Sequence, residues 1–492
     1  MPASAVMRLE PVPTLLARAR AELAAAFDPA RPLRISRAPG RLDVMGGIAQ
    51  YTGSLVLEMP LDRAAAVVTQ ERTDRALQIF SFNLFDEHKP FTFHMPLDAL
   101  ANSSAEELRR EFAQPGRHWA SYLAGCLFVL HEQGYVDLRD PRIPGFNLAV
   151  LSTVPIGAGV SSSAALVVAA LLNFADQLNL RDPARPKFIA DGLTLAILAQ
   201  QVENRLAGAS GGIMDQVTCC LGEPGKLLRM VCQPHELLPP LELPAAVQLI
   251  GINSNARHQI GGDAYGRTRY AAFMGHKIIL EAMRQLGASA GRELTGDPMR
   301  GYLANLDPDD YKALFRPHVP DVIVGQEFLD RYGSIVDRAG TVDPTTDYAV
   351  RHATDHHVLE ARRVGRFAEF LTQAAAAPDR AHRGGPLRRA GRLMYASHLS
   401  YTMDAMLGAP ECDLLTDLVR QRESKGLIGA KITAGGSGGT VAVLANATPA
   451  ADAAIEQVLA EYHRQTTNPA EVFRGSTPGA WHVGTHVVPP QT

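Results

Sequence analysis

Residues 154–172 read VPIGAGVSSSAALVVAALL. Glycines at 157 and 159 remove side chains where a backbone must approach something closely, and three serines then head a long apolar run. The first N–H groups of a helix lack partners within it, and the helix dipole is positive at that end. Such a segment is a ready seat for phosphate, with the serine hydroxyls as further donors or as magnesium ligands. Taken alone, the pattern also fits a tight turn closed by a serine N-cap. No G-x-x-x-x-G-K-[ST] occurs, so this is not a P-loop enzyme.

The rest of the chain limits what that seat can serve. At 492 residues it is too long for one small core, and about 150 residues per domain predicts two or three domains. Hydrophobic residues make up 46% and charged residues 20%, the balance of a globular protein. With 48 basic and 51 acidic side chains the formal charge is −3, which offers nothing to nucleic acid or an anionic membrane. The longest apolar run, Ala164 to Leu172, is nine residues; a bilayer span needs about 20. Behind Arg8 and Glu10 there is no apolar core of about 7–15 residues, so no secretory signal is expected. Cys126, Cys219, Cys220, Cys232 and Cys412 are few, odd in number and without C-x-x-C spacing, which predicts reduced thiols and a cytoplasmic location.

Spacing predicts a helix over Thr14 to Phe27, then a strand-rich stretch containing PLRISRAPG, SLVLEMPL, RAAAVVTQ and ALQIFSFNL. HWASYLAGCLFVLHEQ reads as a buried helix and GFNLAVLSTV as a strand. SSSAALVVAALLNFADQL and FIADGLTLAILAQQVENRLAG read as two more helices. AVQLIGINSN is a strand that opens a second lobe; residues 286–350 look like an irregular insertion; helices return at 358–376 and 387–407. GAKITAGGSGGTVAVLANA is strand, glycine turn, strand, its turn holding Gly435, Gly436, Gly438 and Gly439.

Two further stretches carry chemistry. In QQVENRLAGASGGIMDQVTCC, Glu203 lies on a helix and Asp215 follows twelve residues later, after a glycine break. An acid among apolar neighbours suits catalysis, although it could also serve as a helix cap. In RAPGRLDVMGGIAQYTGS, Arg41 is a lone cation just past a Pro-Gly turn.

Together these stretches resemble the GHMP kinase superfamily, and within it the galactokinase branch. APGRLDVMGGIAQYTGSLVL is similar to its first motif, PIGAGVSSSAAL to its second and KITAGGSGGTVAVL to its third; GGIMDQ and NSNARHQIGGDAY resemble further galactokinase signatures. The resemblance runs from about residue 35 to FRGSTPGA near 480. It implies an α/β (α+β) fold of two lobes, mixed sheets with helices, and an active site between them. The N-terminal lobe is expected over 1–215 and the C-terminal lobe over 216–492, with the insertion at about 286–350.

The resemblance also implies roles. Asp215 matches the base toward the sugar's C1 hydroxyl, and Arg41 the arginine that contacts it and stabilises the transferring phosphoryl group. Gly157, Ala158, Gly159, Val160, Ser161, Ser162 and Ser163 match the ATP phosphate loop, Gly435 and Gly436 the third-motif turn. Trp119, Ser81 and Asn83 match the adenine pocket. Ser163 and Glu203 match the magnesium ligands, and Tyr265 a sugar-contacting tyrosine. ATP and Mg²⁺ are the implied cofactors, and a small sugar the partner, with no nucleic acid or membrane; the sequence gives no oligomeric state. Phosphoryl transfer needs positioning and charge neutralisation more than covalent chemistry, and this set supplies both. A neighbouring Arg41 favours an ionised Asp215.

Departures from the pattern concern the sugar. Galactokinases usually read Gly-Glu-His-Thr-Asp where this chain has Gly46-Gly47-Ile48-Ala49-Gln50. The Glu and His of the family grip the sugar's hydroxymethyl end and the Asp binds ring hydroxyls. Gly47 and Ile48 cannot, so the pocket suits a sugar lacking that group. L-arabinose in its pyranose form is such a sugar, and the plant arabinokinases share this pattern. Gln50 replaces an acid retained even there, and hydrogen bonds to charged groups contribute more (about 1.5–3 kcal/mol) than neutral ones (about 0.5–1.5). Ala434 replaces the usual first glycine of the third motif, which matters only if that residue needs positive φ. The alternatives left open are a galactokinase proper and a non-catalytic sugar and ATP sensor. His352, Asp355, His356 and His357 in RHATDHH resemble a helix start of the family more than a metal site.

Overall fold

The computed structural model describes residues 6–208, 211–256, 263–337 and 340–490. Residues 257–262 of the NSNARHQIGGDAY signature lie outside the described residues.

The chain opens with helix α1 (Val12–Glu22), whose buried Val12, Leu15, Leu16 and Ala19 form one face. It stops short of the expected Phe27, which turns inward and is buried with that face. Strands β1 (Leu33–Met45), β2 (Leu55–Glu71), β3 (Ala76–Ser81), β4 (Thr92–Pro96) and β5 (Phe146–Ser152) follow. They share a mixed sheet in the order β14-β1-β2-β5-β3-β4, with β14 (His486–Val488) returning from the chain's end. Parallel pairing occurs between β3 and β5, and the other pairs are antiparallel.

Helices α3 (Ser162–Gln177) and α5 (Met214–Leu221) pack on this sheet, and α2 (Ser121–Glu132) and α4 (Gly192–Val202) pack against them. The sheet strands are buried on both faces, which is why their sequences read as apolar runs rather than strict alternation.

The lobe boundary expected at 215/216 moves. Strands β6 (Lys226–Val231) and β7 (Glu236–Glu242) form a hairpin that joins the first sheet through β2. Strand β2 is long enough to hold two partners: Leu55–Glu58 pairs with β6 and Ala65–Glu71 with β5. The second sheet begins only with β8 (Val247–Asn253). It has the order β11-β12-β8-β13, with β11 (Leu427–Ile432), β12 (Thr440–Asn446) and β13 (Glu471–Phe473). Helices α8 (Arg380–Met403), α9 (Pro410–Arg420) and α10 (Pro449–Thr466) cover it.

The insertion builds its own small core. Met299, Leu303, Tyr311, Phe315, Phe328 and Tyr348 are buried against α6 (Asp263–Ser289) and α7 (Val350–Ala376). Short turns and the two-residue strands β9 (Ile323–Val324) and β10 (Asp347–Tyr348) connect them.

Candidate active site

Three turns interlock where the lobes meet. The pairing of β1 with β2 shifts register between Pro39 and Arg41 and again between Asp43 and Met45. Such bulges re-aim side chains, and they are common beside active sites. At the first bulge, a Cβ on Gly40 would lie 2.7 Å from the Val160 carbonyl, so only glycine lets β1 press against the phosphate loop. Arg41 N–H donates to that carbonyl at 3.1 Å.

The loop itself alternates hand, with φ of 76° at Gly157, 71° at Gly159 and 62° at Ser161, ahead of α3. Successive N–H groups in such a loop form an anion-binding concavity at a helix N-terminus. The Ser161 hydroxyl is buried with no hydrogen-bond partner among the described residues. A bound phosphate oxygen would supply that partner.

Arg41 is 2% exposed, and its guanidinium connects the loop to α5. Nε and Nη2 donate to Asp215 Oδ1 at 3.0 and 2.6 Å, and Nη1 donates to the Gly159 carbonyl at 2.8 Å. Burial opposes its charge, but the neighbouring acids, Asp215 first, outweigh that and raise its pKa further. Asp215 is the second residue of α5, and both it and Arg41 line a cavity of about 870 Å³ between the lobes.

Ser163 Oγ donates to Glu203 Oε2 at 2.8 Å, and Gln216 Nε2 donates to Glu203 Oε1 at 2.7 Å. Glu203 begins a π turn that extends α4, a feature frequent at functional sites. Burial pushes its carboxyl up to about 7, against the pull of those two hydrogen bonds. Mg²⁺ takes one or two protein oxygens and completes its shell with phosphate and water, so a hydroxyl beside a buried carboxyl fits it.

The third-motif turn is pinned to the first. Lys431 Nζ and Ala434 N–H donate to Asp43 Oδ2 at 2.8 and 3.0 Å, and Gly47 N–H to Oδ1 at 3.1 Å. Burial opposes ionisation of Asp43, but Lys431 and the other donors hold it below the usual carboxylate range. Thr440 Oγ1 donates to the Ala158 carbonyl at 2.7 Å and joins this turn to the phosphate loop.

Ala434 has φ 56°, so the position does require the left-handed region. A non-glycine residue there costs about 1–2 kcal/mol, against roughly 0.5–1 for glycine's extra chain entropy. Ala434→Gly is therefore expected to raise stability by about 0.5–1 kcal/mol in urea unfolding. No gain would mean that the turn does not hold this strain.

Of the expected residues, Gly157, Gly159, Val160, Ser161, Ser162, Ser163, Glu203, Asp215, Arg41, Gln50, Tyr265 and Gly435 all line the one cavity. Gln50 Oε1 accepts Met214 N–H at 3.3 Å, so its amide caps the helix that carries Asp215.

Other expected residues stand behind the wall. Ala158 and Gly436 shape their turns without lining the cavity. Ile48 is packed into the core of the second lobe. Gly47 has φ 46°, and a Cβ there would lie 1.8 Å from the Tyr401 hydroxyl. That hydroxyl accepts Ile48 N–H at 2.9 Å and donates to the Ala434 carbonyl at 2.8 Å. The space beside residue 47 is filled from α8.

Three adenine-pocket expectations also lie off this cavity. Ser81 caps a short helix through Leu84 N–H, Asn83 exchanges two hydrogen bonds with the Ser152 backbone, and Trp119 Nε1 donates to the Gly116 carbonyl. His357 bonds Thr52 and Tyr51, and no group of three or more metal-ligating side chains occurs among the described residues.

The reading of the sequence missed Tyr122, which lines the cavity three residues past Trp119, Tyr270 of α6, and the insertion residues Asp343 and Tyr348. Tyr122 was legible as one turn beyond a suspected residue in the stretch read as a single helix, which the structure divides into a short turn at 118–120 and α2. The insertion residues carried no local signal.

Comparison with known proteins agrees with this geometry. Residues 121–223 match the GHMP kinases N terminal domain, and residues 373–464 the GHMP kinases C terminal domain. L-arabinokinase of Arabidopsis thaliana is 35% identical over 92% of this chain, which spans only 46% of that protein. Human galactokinase is 31% identical, with 91% of this chain and 92% of that protein covered. The structure of Lactococcus lactis galactokinase complexed with galactose superposes with a TM-score of 0.69 at 21% identity, covering 96% of this chain and 99% of that one. Among the described residues no helix is long and apolar enough to cross a membrane. The chain therefore belongs to the GHMP kinase superfamily, in its galactokinase branch and close to the arabinokinases, and is a sugar kinase.

Proposed function

We propose that this protein phosphorylates the anomeric C1 hydroxyl of a monosaccharide from ATP, and that the sugar is L-arabinose. The phosphate loop and the α3 N-terminus receive the nucleotide's phosphates. Asp215, held through Oδ1 by Arg41, keeps Oδ2 for the sugar hydroxyl and takes its proton as the oxygen attacks the γ-phosphorus. Arg41 meets the charge on the transferring group. Mg²⁺, when bound, neutralises phosphate charge; Ser163 and Glu203 are the residues that would hold it.

One observation carries the choice of sugar. The Tyr401 hydroxyl occupies the volume beside Gly47, so the wall offers neither a polar side chain nor room for one where the family grips a hydroxymethyl group. The similarity to L-arabinokinase over 92% of the chain supports the same choice.

The test is ADP release with Mg-ATP, comparing L-arabinose and D-galactose as kcat/KM, with Asp215→Asn as the blank. The expected preference for arabinose is at least about tenfold, the scale for one carbon in a fitted pocket. A preference for galactose keeps the kinase and discards the pentose pocket. Gly47→Glu with Ile48→His, made with Tyr401→Phe to remove the hydroxyl that a Cβ at 47 would meet, is expected to raise the galactose-to-arabinose ratio. An unchanged ratio removes the specificity argument.

A further inference from the structure

Glu58, on β2, is fully buried behind Arg41, and neither of its oxygens has a conventional donor among the described residues. Arg41 stands in ion-pair range of Oε2 but makes no hydrogen bond to it, and a buried carboxyl group that accepts no hydrogen bond calls for a physical account. Asp43 is its direct cross-strand neighbour in the β1–β2 register, so the two carboxyl groups stand on the same face of the pair. Two carboxylates are both acceptors, so a bond between them requires that one hold a proton. Asp43 already accepts from Lys431, Ala434 and Gly47, as an ionised carboxylate does. The proton therefore belongs on Glu58.

The groups facing Glu58 agree. Arg41 and Asp43 come from β1, Asp215 from α5 and Cys232 from the turn after β6, while Lys431 of β11 stands behind Asp43. Two cations thus meet three carboxyl groups, and one retained proton brings the charges level. Burial first, then Asp43, push the Glu58 carboxyl well above the usual range, against the pull of Arg41.

We propose that Glu58 is a positioning residue: as a neutral acid it hydrogen-bonds Asp43 and backs Arg41 without competing with Asp215 for it. Arg41 Nε lies 3.2 Å from Glu58 Oε2 and 3.0 Å from Asp215 Oδ1. An ionised Glu58 would draw the guanidinium back from the reacting group. The proposal rests on the catalytic assignment of Arg41 and Asp215.

Two measurements on the full chain test it. In urea unfolding between pH 6 and 9, an acid whose folded pKa is raised stabilises most at low pH and loses that contribution as pH rises toward its folded value. The unfolding constant of the native protein, relative to Glu58→Gln, should rise by up to about tenfold per pH unit. Identical pH dependence overturns the proposal without reference to catalysis.

In turnover, the amide of Glu58→Gln reproduces the neutral acid, so kcat near pH 7 should stay within about threefold and its alkaline decline should move or vanish. Glu58→Leu, which has no donor for Asp43, should lose more than about tenfold in kcat with KM for sugar nearly unchanged. Equal losses in Gln and Leu, or superimposable pH profiles of native protein and Glu58→Gln, overturn it. Failure of the catalytic assignment would appear differently, as undiminished turnover by Asp215→Asn.

Discussion

Arg41→Ala is expected to lower kcat by about 10³-fold or more while ATP binding changes by only a few-fold. An arginine that meets the charge on a transferring phosphoryl group contributes about 10³–10⁵ in kcat. Arg41 also orients Asp215, since both of its bonds to that residue converge on Oδ1. On the proposed reading, nucleotide affinity depends chiefly on the loop amides of residues 157–163 and the helix N-terminus, which the substitution leaves in place. The check is steady-state ADP release together with calorimetric titration of ATP. A kcat loss below tenfold would remove Arg41 from the chemistry, and abolished ATP binding would make it a structural clamp on the loop.

Asp43→Ala is expected to destabilise the protein by about 3–5 kcal/mol, a large fraction of the roughly 5–15 that holds a domain folded. Lys431 Nζ is fully buried and would be left without its counter-charge. The amides of Gly47 and Ala434 would lose their acceptor as well. Removing both charges, as in Asp43→Ala with Lys431→Met, should recover much of the loss, because the desolvation cost disappears with the pair. Urea unfolding of the two single variants and the double variant decides it. A single-variant cost below about 1 kcal/mol would mean that the first and third turns are held together by something else.

This pair shows where local reading stops. GRLDVMGG and GAKITAGG were each legible as turns next to strands, from their glycines and flanking apolar residues. The contact between Asp43 and Lys431 spans 388 residues of chain, and nothing local to either turn signals it. The same holds for Tyr401. It sits in an unremarkable helical stretch, yet its hydroxyl fills the space beside Gly47. The lobe boundary moved for a related reason. A strand's partner is chosen by register across the sheet, so the 226–242 hairpin could not be assigned to β2 from its own residues.

The sequence by itself determined the kinase family and the elements that carry it. It placed the glycine-serine loop on the α3 N-terminus, put Asp215 and Glu203 on either side of a glycine break, and set Arg41 just past a Pro-Gly turn, which the structure forms as a bulge in β1. These features follow from local rules: glycine where backbones must come close, unpaired amides at a helix start, apolar period for helix and strand. Only the tertiary structure decided what surrounds those groups. It seated Glu58 against Asp43 behind the arginine, closed the Gly47 wall with Tyr401, and brought the insertion to the far side of the cavity. Burial, counter-charge and excluded volume are properties of neighbours brought together by folding, and no run of consecutive residues contains them.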